Sequence, residues 1–404
     1  MRANTRAWLV VAALWVVALL NYLDRQVIFS MFPVVRSELH LSDIELGLIG
    51  SAFLWVYGLC SPFAGFVADR YGRRRVLIFS LVIWSAVTWA TGLARNIEEM
   101  LVARALMGIS EACYLPAALA MIADYHKEGT RSLATGLHFS GIYVGIVLGG
   151  VGGGWVAEHY GWRAAFTILG VAGVLYTPIL LAVLREEKPV KAASAEAQPK
   201  FWAATRELVT LRGFGAVVTV FSILSIANWL VYTWMPLYLF ERFHMNLAAS
   251  GFSATFYLQA GSVAGILIGG TLADRWCAQT PRGRVWTQAV GLAGAAPFLF
   301  LVGFTGIPGV LIAGLAVFGV GRGMFDSNAM PVLCQIARPE LRSTGYGLLN
   351  MAGTLTGGVV AIAGGALKST LGLGGMIQIA GILLLVGCFL LWRLPVSDAP
   401  PVEG

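Results

Sequence analysis

The chain predicts an all-α membrane protein: twelve transmembrane helices in two pseudo-symmetric six-helix bundles, with both termini cytoplasmic. Three observations carry this expectation. Of 404 residues, 57% are hydrophobic and only 12% charged, against roughly 45–50% and 25% in soluble globular proteins. Apolar runs of about 20 residues, the length that crosses a hydrocarbon core, recur along the whole chain. A polar segment near the middle leaves six runs on each side, and a short motif before it returns after it.

The expected spans are 7–32, 44–68, 75–94, 98–123, 131–156, 163–184, 214–240, 250–273, 285–304, 308–333, 342–367 and 372–393. Arg2 and Arg6 ahead of the first run imitate a secretory signal, but the run passes Leu20, carries Asp24-Arg25 and offers no small-residue cleavage site. It reads as a retained helix. The second run ends in Gly65-Phe66-Val67-Ala68-Asp69-Arg70-Tyr71, and the eighth in Gly270-Thr271-Leu272-Ala273-Asp274-Arg275-Trp276, 205 residues later. Arg131-Ser132 and Arg342-Ser343 give a fainter echo at the fifth and eleventh spans. In the fifth, Gly141, Gly145 and Gly149 recur every four residues and Gly150 and Gly152 to Gly154 follow, a stripe suited to close helix packing and sliding. Arg185-Glu186-Glu187-Lys188-Pro189 and the Ala/Ser/Lys/Glu stretch to Lys200 read as a solvated linker. The domain division is therefore 1–184, a cytoplasmic linker at 185–213, and 214–404.

With both termini inside, cytoplasmic segments hold 20 of the 28 Lys and Arg, external loops five and the spans three. This is the positive-inside pattern. It accounts for the net charge of +7 without a nucleic-acid partner. The five cysteines show no metal-binding spacing, so neither a disulfide framework nor a metal is expected. No Walker loop, dinucleotide fingerprint or His-Glu-x-x-His motif is present. The chain is expected not to be an enzyme and to need no cofactor. With no nucleotide-binding domain, an ion gradient is the expected energy source.

Charges inside the spans are the main functional signal: Asp24, Arg25, Arg104, Glu111, Arg322 and Asp326. Each costs about 2.5–3.5 kcal/mol or more at membrane depth, and such residues usually line a polar pathway. Arg104 and Glu111 are seven apart, about 10.5 Å along a helix, too far to bridge directly, so their partners belong to another helix. Burial favours the neutral form of a carboxylate and a nearby guanidinium the charged form, so an anion competing for the guanidinium can be coupled to a proton. Arg suits a carboxylate because its planar fork donates two parallel hydrogen bonds. On these grounds Asp24 and Glu111 are the proton-coupling candidates and Arg25 the anion-binding one. Structural locking of helices is the competing reading for each, and for Arg104 it stands beside direct substrate contact. Tyr22, Tyr57, Tyr143, Asn228, Tyr232, Asn328 and Asn350 are candidate cavity residues. Arg322 and Asp326, four apart, can pair with each other; their role stays open between a self-neutralised pair, a second proton site, a gate and a substrate determinant.

The Gly65-x-x-x-Asp69-Arg70-x-Gly72-Arg73-Arg74 pattern resembles the helix 2–3 loop signature of the major facilitator superfamily. That resemblance spans the whole chain and implies alternating access, with the solute site between the repeats near the bilayer midplane. It makes Gly65, Asp69, Arg70, Arg74, Asp274 and Arg275 gating candidates. Within that superfamily, Asn21-Tyr22-Leu23-Asp24-Arg25, Arg104 to Ala112, Ser51 to Tyr57 and Gly347-Leu348-Leu349-Asn350 resemble the anion:cation symporters of sugar acids and other organic anions. The resemblance implies that Asp24 and Glu111 titrate and that Arg25 helps hold the anion. Glu111-Ala112-Cys113-Tyr114 and Ile122-Ala123-Asp124 also resemble the spinster-like group, which implies a lysolipid or other amphiphile as the alternative cargo; drug or metabolite efflux is the other. Ile142 before Tyr143, and Ser61, replace glutamines of the sugar-acid pattern, which weakens the case for a highly hydroxylated substrate. The expected protein is a monomeric, proton-coupled symporter of a small organic anion in a bacterial inner membrane, its partners being that solute, protons and the bilayer.

Overall fold

The computed structural model describes residues 2–126, 128–184, 201–338 and 341–394; within its helices, the side chains at 2–4, 65, 66, 69, 70, 128, 129, 131, 132 and 343 are not described. The regular structure among the described residues is all helical, with no strand: α1 (Arg2–Ser30), α2 (Phe32–Leu39), α3 (Asp43–Tyr71), α4 (Arg73–Thr91), α5 (Ile97–Ala112), α6 (Tyr114–Tyr125), α7 (Glu128–Tyr160), α8 (Trp162–Val183), α9 (Phe201–Thr210), α10 (Phe214–Phe243), α11 (Leu247–Cys277), α12 (Gly283–Phe304), α13 (Pro308–Ile336) and α14 (Arg342–Trp392). Eleven stretches among them are long and apolar enough to cross a membrane. Large apolar side chains such as Phe79, Leu175 and Leu267 are about two-thirds exposed, as a lipid-facing surface requires.

Helix ends follow local chemistry more than the edges of the apolar runs. Ser42 starts α3 with a capping box: its hydroxyl accepts from Glu45 N while the Glu45 carboxylate accepts from Ser42 N at 2.7 Å. The span expected at 98–123 is two helices, α5 and α6, meeting at Cys113. Pro116, in the first turn of α6, has no N–H to donate to the carbonyl of Ala112, four residues back. The two spans expected at 342–367 and 372–393 form the one stretch α14, interrupted at Gly372 with φ 66 and ψ 157. Glycine reaches that conformation without a Cβ penalty. Part of the segment expected as linker, Phe201–Thr210, is the helix α9; residues 185–200 lie outside the described residues.

The chain forms two compact units. Unit 1 is Met1–Ala192 with Tyr232–Thr255 and Ala361–Ala366; unit 2 is Ala193–Val231, Phe256–Val360 and Leu367–Gly404. This grouping cuts across the sequence halves, since parts of α10, α11 and α14 belong with the first half. In unit 1, Gly141, Gly145, Gly149 and Gly153 of α7 lie against Trp15, Leu19, Leu23 and Val27 of α1, one step of four residues on each helix. A Cβ on any of these glycines would collide with α1, so the stripe is what lets the two helices touch. That contact fixes the face of α1 that carries the charged residues.

Candidate functional site

Unit 1 gathers four charged side chains in its interior. Arg25 Nε donates to Glu111 Oε2 at 2.5 Å, joining α1 to α5, with side-chain exposures of 11% and 0%. The expectation that Glu111 finds its partner on another helix holds, because seven residues of rise separate it from Arg104. The Arg25 guanidinium also lies over three aromatic rings: Tyr57 at 4.3 Å, Tyr22 at 4.6 Å and Phe53 at 5.0 Å. Such faces attract a cation by about 0.5–2 kcal/mol each. They hold the guanidinium without consuming its hydrogen-bond donors.

Arg104 is fully buried. Its Nη1 donates to the Met107 thioether at 3.2 Å, a weak acceptor, and its carbon centre lies 4.9 Å from the Phe53 ring, while Nε and Nη2 have no partner. Phe53 thus stands under both arginines. Asp24 is 2% exposed and accepts one hydrogen bond on Oδ2, from the Thr88 hydroxyl of α4 at 3.2 Å; its Oδ1 has none. The Oε1 of Glu111 is likewise unpartnered. Asn21 lies beside the Glu111 carboxyl but makes no hydrogen bond of good geometry. Groups of this kind inside a protein are costly unless paired. Here two acids and two arginines share one interior with several donors and acceptors open to a change of partner.

The remaining expected residues are distributed between the units. In unit 1, Tyr143 is half-buried on α7, and the backbone carbonyl of the buried Tyr232 accepts from Gln26 Nε2 at 3.4 Å. In unit 2, Asn328 commits its amide nitrogen to packing, donating to Met324 O at 3.0 Å, Ser327 Oγ at 3.1 Å and Gly269 O at 3.4 Å. Asn228 has a buried, unpartnered Oδ1, and Asn350 is half-buried. Arg322 Nε pairs with Asp326 Oδ2 at 3.2 Å, the i, i+4 bond that their spacing allowed.

Of the gating candidates, Gly65, Asp69 and Arg70 lie outside the described side chains. Asp274 and Arg275 are exposed. Arg74 donates from Nε to Leu184 O at 2.7 Å and from Nη2 to Leu181 O at 3.1 Å, tying the start of α4 to the end of α8. Arg282 at the start of α12 does the same with Leu394 O at 2.9 Å, so the internal repeat extends to these caps. Arg73 pairs with Asp124 of α6.

Four residues of the cluster were not singled out as site residues from the sequence: Asn21, Phe53, Thr88 and Met107. Asn21, Phe53 and Met107 lie inside the motifs that carry the family resemblance. Thr88 carries no signal, since a Thr in an apolar helix is ordinarily packing.

Comparison with known proteins matches the family model described as Major Facilitator Superfamily to residues 14–281 and 252–404. An "MFS-type efflux pump" of Mycolicibacterium smegmatis is 28% identical over 94% of this chain and 89% of its own length. The "Probable galactarate/D-glucarate transporter GudP" of Escherichia coli is 25% identical over 96% and 91%. The crystal structure of a bacterial homologue of the human lysosomal transporter spinster, inward-facing and unoccupied, shares the fold with a TM-score of 0.83 at 21% identity, covering 96% of this chain and 97% of that one.

Proposed function

The chain belongs to the Major Facilitator Superfamily and is a multi-pass membrane transporter, and from that premise we propose that it couples protons to the symport of a small organic anion by alternating access. The observation that carries this reading is the buried bond of 2.5 Å between Arg25 and Glu111. A proton on Glu111 weakens its hold on Arg25 and frees the guanidinium for a substrate carboxylate. Loss of that proton lets Glu111 reclaim Arg25 and release the anion. Proton and anion therefore travel together, because either alone leaves Arg25 or Glu111 with an uncompensated buried charge. Asp24, with one neutral donor on Oδ2, is the second proton carrier. Arg104 acts as the fixed positive neighbour of both acids, and Tyr22, Tyr57, Tyr143, Asn228, Tyr232 and Asn350 supply the polar and aromatic lining.

The same reading takes Gly372 as the turn between two spans, which gives twelve, and takes both termini as cytoplasmic in a bacterial inner membrane. Asp69, Arg70, Asp274 and Arg275 are its gating residues, and the working unit is a monomer. Similarity to a galactarate/D-glucarate transporter supports an organic acid as cargo. A second reading, export of a lipid-like amphiphile or drug, draws on the aromatic faces of Tyr22, Phe53 and Tyr57 around Arg25.

The test is a thermal-shift screen of purified protein against sugar acids, other carboxylates and lysolipids, followed by uptake of the hit into proteoliposomes with and without an imposed pH gradient. Symport predicts carboxylate-specific stabilisation and uptake that the gradient drives and that Asp24→Asn or Glu111→Gln removes. Stabilisation by lysolipids alone would favour the second reading; gradient-driven uptake surviving in both variants would exclude the coupling mechanism.

A further inference from the structure

His138, in the first half of α7, is fully buried and takes no part in the mechanism above. Gly141, three residues on, lies against Trp15 of α1, and Trp15 Nε1 donates to Ser140 Oγ at 2.9 Å. These contacts hold the imidazole beside Leu14. There the Tyr114 hydroxyl of α6 donates to Leu14 O at 2.9 Å and meets His138 Nε2 at 3.4 Å. His138 Nδ1 has no hydrogen-bond partner. The Trp84 ring of α4 packs edge-on against Tyr114 at 5.6 Å, and its Nε1 is also buried and unpartnered. One turn further along α4, Thr88 donates to Asp24. On α1, Asn21 lies between Leu14 and Asp24, with both polar atoms of its side chain buried and unpartnered.

These groups form a line inside unit 1. Leu14 and Asp24 are ten residues apart, about 15 Å along α1, and Thr88, Trp84, Tyr114 and His138 step through that interval. Arg25, about 100° further round α1, is turned instead to Glu111 and to the rings of α3. The titratable groups packed around His138 are tyrosines: Tyr114 from α6, and Tyr176 from α8, which donates to Ala13 O at 3.1 Å. The first acid met along α1 from Leu14 is Asp24. Packing alone accounts poorly for His138. A buried polar group without a partner costs about 1–3 kcal/mol, and an apolar ring would fill the same space without that cost. Histidines and acids that succeed one another inside membrane spans are the usual carriers of protons, because an imidazole takes up a proton on one nitrogen and gives one up from the other.

We propose that Tyr114 and His138 relay the Asp24 proton through the interior of unit 1, toward the end where α1 and α7 begin, on a route separate from the one the solute takes past Arg25. This rests on the proton-symport reading above and deepens it by giving the proton its own exit. Water is the co-reactant. The Asp24 carboxyl gives its proton to water lodged against Trp84 Nε1 and Asn21, and that water gives one to the Tyr114 oxygen. The Tyr114 hydroxyl proton moves to His138 Nε2, and the imidazolium so formed loses its Nδ1 proton to water at the end expected to face the cytoplasm. Asp24 has then lost one proton, the water beyond His138 has gained it, and Tyr114 and His138 each hold as many protons as before.

The test compares two modes of transport in proteoliposomes, with D-glucarate, D-galactonate, succinate and butyrate as probes. Uptake driven by an imposed pH gradient requires release of the proton at every turnover. Counterflow of labelled against unlabelled anion at equal pH does not. The ratio of the two rates is measured in the wild type, His138→Phe, His138→Gln and Tyr114→Phe. Phe fills the imidazole site without a polar atom. Gln keeps a hydrogen-bond partner for Tyr114 but carries no proton, and Tyr114→Phe removes one hydroxyl only, so these two decide the matter where His138→Phe does not fold. The ratio is expected to fall by about tenfold or more in all three, as an added barrier of about 1.4 kcal/mol to proton release produces. A wild-type ratio in His138→Gln would assign the imidazole to hydrogen bonding and overturn the relay, and a wild-type ratio in Tyr114→Phe would overturn it equally. Both results leave symport itself standing. If the wild type takes up none of the four probes, or takes one up without acidifying the lumen, the proton-symport reading has failed and the relay falls with it.

Discussion

At the scale of single residues, Arg25 has one acid and three aromatic rings as neighbours. Removing one member of a buried ion pair costs about 3–5 kcal/mol, because the other is left uncompensated. Arg25→Ala should therefore lower the melting temperature markedly, and adding Glu111→Gln should restore most of the loss. If the double variant melts no higher than the single one, the pair is not the source of the penalty. Phe53→Leu should leave folding nearly intact but weaken anion binding, since the ring under both arginines is replaced by a group with no π face; equal affinity in the variant would remove Phe53 from that role. The charged members of this cluster were legible in the sequence because ionisable side chains are conspicuous in apolar spans. The neutral members were not. Thr88 acquires meaning only when α4 brings it beside Asp24, and Met107 only through its contact with Arg104 one turn away on α5. Asn328 is the converse case: a mid-span amide that read as a cavity residue uses its donor to join α13 to α11.

At the scale of elements, the glycine stripe on α7 is the best-tested inference from spacing. A period of four read as close packing, and the four glycines meet α1 at residues also spaced by four. Gly145 faces the Leu19 carbonyl directly, whereas a Cβ on Gly152 would meet nothing within 4 Å. Gly145→Leu should therefore cost about 1–3 kcal/mol or more by overpacking. Gly152→Ala should be neutral or stabilise by up to about 1 kcal/mol, through the lower backbone entropy of alanine. Chemical or thermal unfolding in detergent separates the two, and a tolerated Gly145→Leu would contradict the stripe's mechanical reading. Helix boundaries were less legible. Apolar composition marks the part of a helix inside the membrane, while capping at Ser42, the missing donor of Pro116 and the turn at Gly372 set where helices start, break and bend.

At the scale of the whole molecule, the repeated Asp-Arg motif raises the expectation of a six-plus-six organisation, and among the described residues the caps Arg74–Leu184 and Arg282–Leu394 repeat one contact at a similar offset. The association of Tyr232–Thr255 and Ala361–Ala366 with the first-half helices was not visible, because hydropathy carries no information about which helix ends meet. Within unit 1, Arg36 of α2 bridges Asp43 at 3.0 Å and Glu241 of α10 at 3.1 Å, and Glu158 Oε1 of α7 accepts from Leu247 N at the start of α11 at 2.5 Å. All lie toward the end expected to face outward. Half-exposed ion pairs are worth about 0.2–1 kcal/mol, so Arg36→Ala should shift the balance of open and closed forms at that end by no more than about fivefold. Spin-label distances between positions 98 and 244 would read that shift, and an unchanged distribution would assign the closure to helix packing alone.

In the proposed symport, proton and anion are coupled because Glu111 and the substrate compete for Arg25. The most direct measurement is the pH inside proteoliposomes, read by a trapped dye, when anion is added outside with no gradient imposed. Acidification is expected in the wild type, and none in Glu111→Gln even where that variant still exchanges labelled for unlabelled anion. Equal acidification by Glu111→Gln, or anion uptake by the wild type with no change in internal pH, would contradict it.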